Sequence, residues 1–189
     1  MLKVSTAALA LALTPLAACT TMDSGSAMAD TATVGGAAMY ASRNIVENAA
    51  NSPLHTTLVA AVKAAGLVDT LSGPGPFTVF APTNDAFAKL PAGTVDTLLQ
   101  PGNRAMLQSV LTYHVVPGRV TAEELVGMIR AGGGRARLTT VQGGTLTAST
   151  MNGRVTLTDA KGGMAHVTQA DVMQANGVVH VIDTVLVPK

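Results

Sequence analysis

Residues 75–87 read GPFTVFAPTNDAF, and this stretch decides the fold. Residues 77–81 form a short apolar run, which predicts a buried strand. Pro82 ends that strand because proline has no N–H to donate to a neighbouring strand. Thr83 follows, and its hydroxyl can accept a hydrogen bond from the first turn of a helix that we expect to run to about Leu90. A strand therefore leads directly into a helix.

Helical patterns occur on both sides of this stretch. Residues 52–66 begin with a cap residue and a proline and end at a glycine, which is typical of a helix. Residues 94–100 and 103–111 are two further helical segments. Thr121 and Glu124 have the spacing of a capping box, which predicts the start of another helix.

Strand patterns dominate the second half of the chain, where Val, Leu and Thr recur with a period of two. Asn152-Gly153 favours a tight type I′ turn, because both residues tolerate a positive φ, and Gly143-Gly144 and Asn176-Gly177 predict two more turns. Strands are expected at residues 137–141, 145–150, 154–159 and 178–187, with an earlier one at 113–116. Helices come first and a meander of strands later, which predicts one domain of the α+β class.

The first residues have the pattern of an exported bacterial lipoprotein. Lys3 and the apolar run after it, which is too short to span a membrane, predict a secretory signal peptide at residues 1–18. Leu16-Ala17-Ala18-Cys19 resembles the bacterial lipobox, in which the cysteine thiol receives a diacylglyceryl group and the leader is cut just before it. Cys19 is the only cysteine, so an intramolecular disulfide is excluded and lipidation is the expected role of this thiol.

Residues 19–43 are rich in Gly, Ser, Ala, Thr and Met and have no periodic apolar pattern. This composition predicts a flexible tether between the membrane and a globular domain. Met22, Met28 and Met39 are irregularly spaced, so incidental linker residues are favoured over a soft-metal site.

Composition limits the classes of partner. Hydrophobic residues make up 48% of the chain, aromatic residues 3% and charged residues 12%. Loss of Lys3 with the leader reduces the 12 basic residues to 11, which equals the 11 acidic ones. The sequence offers neither a basic face nor an aromatic platform for nucleic acid, so we expect no nucleic-acid partner.

Three segments together resemble the fasciclin domain family. They are the opening stretch at residues 75–87, LTYHVV at residues 111–116 and NGVVHVIDTVLVP at residues 176–188. Their order and spacing are those of the family, and the resemblance covers residues 44–188. It implies a fasciclin-like β-wedge or compact sandwich of about seven strands, with several helices packed on one side.

We interpret the motif residues of the first two segments as structural. Asn84 and Asp85 have short acceptor side chains suited to free backbone N–H groups at a helix start. A cation-binding or catalytic Asp85 is the less favoured alternative, because a lone carboxylate makes a poor acid–base pair. Tyr113 and His114 are expected on a strand with their side chains on opposite faces, and the resemblance implies a buried, hydrogen-bonding role for His114.

The closing segment contributes Asn176, Gly177, His180 and Asp183. His180 and Asp183 are three apart on an expected strand and so face opposite sides, which argues against a shared ligand. The histidines lie far apart, and none has the spacing of a zinc site. They are His55, His114, His166 and His180. No nucleophile motif indicates an enzyme, so we expect no catalytic residue, no metal and no cofactor.

The anchor, the tether and the resemblance predict a membrane-anchored, extracytoplasmic binding module for adhesion or matrix association. We expect a monomer with an unknown protein or polysaccharide partner, held at the outer membrane, in the periplasm or at the cell surface. Thr20, where an Asp would favour inner-membrane retention, favours the outer membrane in a host with two membranes. Two alternatives stay open: a structural or stress-related envelope protein, and a small-molecule or lipid carrier that uses a gap between sheet and helices.

Overall fold

The computed structural model describes residues 31–91 and 93–188. The expected signal peptide, Cys19, Thr20, Met22 and Met28 lie outside the described residues. The helices are α1 (Ile45–Asn51), α2 (Thr56–Ala65), α3 (Val68–Ser72), α4 (Asn84–Ala88), α5 (Thr94–Leu99), α6 (Arg104–Tyr113) and α7 (Ala122–Ala131), with short 3₁₀ turns at Pro53–His55 and Pro101–Asn103. The strands are β1 (Thr31–Val34), β2 (Ala37–Tyr40), β3 (Phe77–Pro82), β4 (Val115–Pro117), β5 (Arg135–Thr139), β6 (Thr145–Met151), β7 (Arg154–Thr158), β8 (Met164–Gln174) and β9 (Gly177–Ile182).

Seven of these strands form one sheet in the order β4-β3-β9-β8-β7-β6-β5. β3 and β9 pair in parallel, and the other neighbours are antiparallel. β1 and β2 form a separate antiparallel hairpin. The α+β class predicted from the residue patterns and the seven strands implied by the resemblance are confirmed.

The adjacent strands β3 and β9 are buried on both faces. Val79 and Val179 point into a core shared with helices α1, α2 and α6. Phe80 and Ile182 point the other way, into a second core that α7 closes with Leu125 and other apolar residues. Fully burying one such side chain contributes about 1.5–3 kcal/mol, so these two strands hold both cores together.

Local signals placed several element ends correctly. Thr83 accepts a hydrogen bond from the Ala86 N–H and caps α4. Thr121 and Glu124 form the complete capping box of α7. Asn152, in the turn between β6 and β7, has a φ of 51°, as a type I′ turn requires.

Part of the expected tether is an ordered hairpin, which corrects the assignment of residues 31–43. Val34 and Met39 are buried in the helical core, so Met39 is a core residue. The Asn48 side chain accepts from the Tyr40 N–H at 3.0 Å and donates to the Tyr40 carbonyl at 2.7 Å. Burial and these hydrogen bonds order a segment whose Gly- and Ala-rich composition indicated flexibility.

The prediction of a strand at residues 113–116 is wrong for its first two residues. Tyr113 is the last residue of α6, and His114 is its C-cap with a φ of −85° and a ψ of 0°. The strand begins only at Val115. The aromatic and β-branched composition suggested a strand, but the helical packing of α6 against the core overrides it.

The closing segment also differs from expectation. β9 ends at Ile182, so Asp183 follows the strand and the opposite-face argument for His180 and Asp183 does not apply. β8 was not predicted, because two register shifts and a positive φ at Asp171 interrupt its alternating pattern.

Candidate functional site

The Asn84 side chain does not cap α4, the helix that carries it, but connects α4 to the start of α2. Its Oδ1 accepts from the Thr57 N–H at 3.0 Å, and its Nδ2 donates to the Pro53 carbonyl at 2.9 Å. It therefore forms hydrogen bonds with free backbone groups at the start of α2. The cap of α4 is Thr83. Asp85 is exposed in the first turn of α4, where a carboxylate interacts favourably with the helix dipole.

Tyr113 is buried and joins two segments of the sheet through its hydroxyl. The hydroxyl donates to the Thr145 carbonyl at 2.9 Å and accepts from the Ala160 N–H at 3.1 Å. Burial raises the pKa of this phenol, and the hydrogen bond from Ala160 only partly offsets the effect. The Tyr113 hydroxyl thus links the start of β6 to the turn after β7.

His114 is buried between α6 and the C-terminal segment. Its Nδ1 lies 2.8 Å from the Val110 carbonyl, and its Nε2 accepts from the Leu186 N–H at 3.0 Å. Because one partner can only accept and the other can only donate, the ring must be neutral with its proton on Nδ1. Burial lowers the pKa of His114 to about 4, which keeps this tautomer at neutral pH.

His180 has the complementary tautomer on β9. Its Nε2 donates to the Val120 carbonyl at 2.9 Å, and its Nδ1 accepts from the Asp171 N–H at 3.3 Å. The ring stacks on Phe80 with 5.6 Å between the ring centroids. Burial lowers the pKa of His180 as well, so this ring is a neutral connector between β9, β8 and the segment before α7.

Asn176 and Gly177 form a junction at the turn before β9. The Asn176 Oδ1 accepts from the Ile45 N–H at 3.1 Å. Its Nδ2 donates to the carbonyls of Leu71 and Gly73 at 2.7 and 3.0 Å. At Gly177 a β-carbon would collide with the Phe77 carbonyl, so glycine permits the close approach of β3 and β9.

Asp183 follows β9, and its carboxylate contacts His166 and Lys89. Its Oδ1 accepts from the His166 N–H at 2.8 Å, and its Oδ2 lies 3.7 Å from the Lys89 Nζ. Partial burial acts to raise the pKa of this carboxyl, but the hydrogen bonds from His166 and Thr184 and the Lys89 charge outweigh burial and lower it. His180 and Asp183 therefore contact different partners and share no site.

Two interior polar residues, Asp159 and Gln174, were not predicted from the sequence. Asp159 accepts from the N–H groups of Lys161 and Gly163 at 2.9 and 2.7 Å, and its other oxygen accepts from the Val187 N–H at 3.0 Å. Its place ahead of a Gly-Gly turn is a signal that could have identified it. Gln174, which bonds the buried Asn48 side chain, had no local signal, because the two are far apart in sequence.

Two of the spaces that border the helices differ widely in size. The gap between the helices and β3 is about 30 Å³, which has room for one or two water molecules. An open groove of about 430 Å³ lies between α5, α6 and the C-terminal segment. Its apolar lining includes Leu98, Met106 and Val110, and Lys161 lies at the groove.

One sheet face is exposed and carries basic and hydroxyl side chains. We call it the arginine–threonine face; it is made by alternating outward residues of β5, β6 and β7. Its exposed and half-buried members are Arg135, Arg137, Thr147, Ser149, Met151, Arg154 and Thr158, and Thr156 on the same side of β7 is buried. Within the described parts of the chain, no cluster of three or more His, Cys, Asp or Glu side chains is arranged to hold a metal ion. No helix among residues 31–91 and 93–188 has the length and hydrophobicity to cross a membrane.

Comparison with known proteins gives consistent matches. The family model described as "Fasciclin domain" matches residues 53–188. The chain is 50% identical over 157 residues to Protein sll1483 of Synechocystis sp., covering 83% of this chain and 80% of that protein. It is 37% identical over 159 residues to the cell surface glycolipoprotein MPB83 of Mycobacterium bovis, covering 82% of this chain and 64% of that protein.

Among solved structures, the FAS1 domain pair of the insect cell adhesion molecule fasciclin I has the same fold. The TM-score is 0.68 at 21% identity, and the match covers 76% of this chain and 50% of that chain. The family match extends from the 3₁₀ turn before α2 to the end of the described residues, and it contains all three sequence segments. This chain belongs to the fasciclin domain family.

Proposed function

We propose that the chain is a non-enzymatic binding module, tethered at a membrane surface, that mediates adhesion or matrix association. The observation that supports this proposal best is the use of the motif side chains inside the domain. The polar atoms of Tyr113, His114, Asn176 and His180 bond backbone groups of the chain itself. These residues hold the domain together, which leaves recognition to its exposed faces.

The names of similar proteins point in the same direction. One solved structure with this fold is of a cell adhesion molecule, and one relative is a cell surface glycolipoprotein. A binding module on a cell surface needs no acid, base or nucleophile, which agrees with the separate positions of the candidate polar residues. Deletion of the gene is expected to weaken surface attachment or biofilm formation while growth stays normal. Normal attachment of the deletion strain to every surface tested would remove the adhesion proposal.

We propose Cys19 as the lipid acceptor that holds the chain at the membrane. The support is the sequence Leu16-Ala17-Ala18-Cys19 and the absence of any other cysteine. Two or more acyl chains give stable attachment, whereas one chain is marginal. Radioactive palmitate should label the wild type and leave Cys19→Ser unlabelled. Equal label in both would exclude the anchor, and fractionation of the labelled protein would locate it at the outer or the inner membrane.

A second candidate function, carriage of a single-chain amphiphile with an anionic head group, is favoured by the open groove. Its volume of about 430 Å³ falls in the range of ligand pockets, and Lys161 supplies a cation beside the apolar lining. The gap between helices and sheet is too small for this role. A fluorescent fatty acid should bind saturably to wild type and to Met151→Glu, which lies on β6, but not to Leu98→Glu in the groove. Absence of saturable binding to the wild type would exclude the carrier.

A further inference from the structure

We propose that the arginine–threonine face binds an acidic polysaccharide, with the guanidinium groups of Arg135, Arg137 and Arg154 on its carboxylate or sulfate groups. This inference rests on the proposed binding function and names the chemistry of the partner. It concerns an exposed sheet face that none of the motif residues occupies.

The alternation of the strands fixes which side chains point outward. In β5 the residues Ala136 and Leu138 are buried in the core that α7 closes, and Arg135 and Arg137 between them are exposed. Leu146 and Ala148 of β6 are buried in the same core. Because successive side chains point to opposite faces of a strand, the arginines lie on the face away from α7.

Strand pairing brings the face together. Arg135 pairs with Ser149 and Arg137 with Thr147 across β5 and β6. Arg154 pairs with Met151 across β6 and β7. The two β5 arginines are thus about 7 Å apart along the strand. Arg154 lies two strand spacings of about 4.8 Å across the sheet and about 7 Å further along it than Arg135, because its partner Met151 is two residues beyond Ser149. The three cations thus border the hydroxyl groups of Thr147 and Ser149.

The charge of the face is not neutralised by the rest of the described chain. Strands β5, β6 and β7 contain no Asp or Glu. Asp159, directly after β7, is buried and bonds three backbone N–H groups. Between residues 31 and 188, leaving out residue 92, the only ion pair joins Lys89 and Asp183. The guanidinium groups are therefore available to an external anion.

Protection of a sheet edge is the simplest alternative explanation for these arginines. Charged residues on an edge strand discourage pairing with a second molecule, and β5 is the end strand of the sheet. That explanation covers Arg135 and Arg137. Arg154 is two strands away from that edge; it pairs with Met151 of β6, and the pairs between β7 and β8 begin only at Thr156. A third cation facing the same way points to a ligand.

The chemistry of the face favours a polysaccharide over other anions. Arginine binds carboxylate and sulfate oxygens through two parallel hydrogen bonds. Serine and threonine hydroxyls both donate and accept, as sugar hydroxyls do. The face has no aromatic side chain on which a nucleic-acid base could stack and no apolar pocket for the anchor residue of a protein partner.

The test uses the full-length chain carrying Cys19→Ser, so that no acyl chain is attached to residue 19, and polygalacturonate as the acidic polymer. One variant combines Arg135→Gln, Arg137→Gln and Arg154→Gln. The matched control combines Arg43→Gln, Lys63→Gln and Arg119→Gln, which are exposed residues outside β5–β7 and give the same change in net charge. Circular dichroism and urea unfolding verify that all three proteins are equally folded.

We expect the unmodified face to bind polygalacturonate but not neutral dextran, and the binding to weaken with salt. The face variant should lose roughly tenfold or more in affinity, and the control variant much less. An equal loss in both variants, no binding by the unmodified face, or equally tight binding of double-stranded DNA would each overturn the proposal. If the proposal fails while gene deletion still weakens attachment, the adhesion function stands and only its partner chemistry is wrong.

Discussion

Acid should destabilise this protein through His114. The ring is held neutral between the Val110 carbonyl and the Leu186 N–H, and its pKa falls from 6.5 to about 4 on folding. Below pH 6.5 the unfolded chain binds a proton that the folded chain does not, so stability falls as the pH drops. The loss begins near pH 6.5 and is complete near pH 4.

The magnitude follows from the shift. A difference of one pKa unit corresponds to 1.36 kcal/mol, so His114 alone accounts for about 3 kcal/mol between pH 7 and pH 4, of which about 2 kcal/mol is lost by pH 5. The pKa values of His55 and His180 are also lowered by burial, and these residues add to the loss in the same direction. The loss of unfolding free energy in acid should therefore exceed the loss expected from His114 alone.

Urea unfolding of the wild type and His114→Gln from pH 8 to pH 4.5 tests this reasoning. The variant should be less stable at pH 7, because it disrupts two buried hydrogen bonds, but the difference should shrink by about 2 kcal/mol at pH 5. Tyr113→Phe is the matched control: it also disrupts two buried hydrogen bonds, but its penalty should not change with pH in this range. A difference between wild type and His114→Gln that is constant with pH would refute the neutral-ring argument.

Other substitutions test the junctions of the fold by urea unfolding. Asn176→Ala removes three hydrogen bonds and should cost at least about 2 kcal/mol; a cost near zero would exclude its junction role. Gly177→Ala should cost about 1–3 kcal/mol because a β-carbon meets the Phe77 carbonyl, whereas Gly127→Ala, in open space on α7, should stabilise by about 0.5–1 kcal/mol. Val34→Asp places a charge in the core and should lower the free energy of unfolding by at least about 2 kcal/mol. An unchanged free energy of unfolding would instead support a flexible tether at this segment.

The sequence predicted those parts of the fold that depend on local signals. Thr83, Thr121 and Asn152-Gly153 act on their immediate neighbours, so their caps and turn were identified correctly. The hairpin at residues 31–40 was missed because its order comes from burial and from Asn48 rather than from its own composition. Strand β8 was missed because its bulges break the alternation on which strand prediction depends.

In the candidate site too, local signals predicted some features, and contacts between distant residues determine the others. The residue types of the motif suggested buried hydrogen-bonding roles, but their partners lie far away in sequence. Asn176 bonds Ile45, and His114 bonds Leu186. The tautomers of His114 and His180 also follow from those partners, so only the folded structure defines them. The arginine–threonine face likewise depends on strand register, which brings Arg154 and the two β5 arginines to one side.

The central claim is that a lipid anchor positions the domain and that the domain acts only by binding. Attachment of a deletion strain, complemented with either the wild type or Cys19→Ser, tests it most directly. The wild type should restore attachment, whereas Cys19→Ser, which is still folded, should not. Full restoration by the unanchored protein would contradict the account.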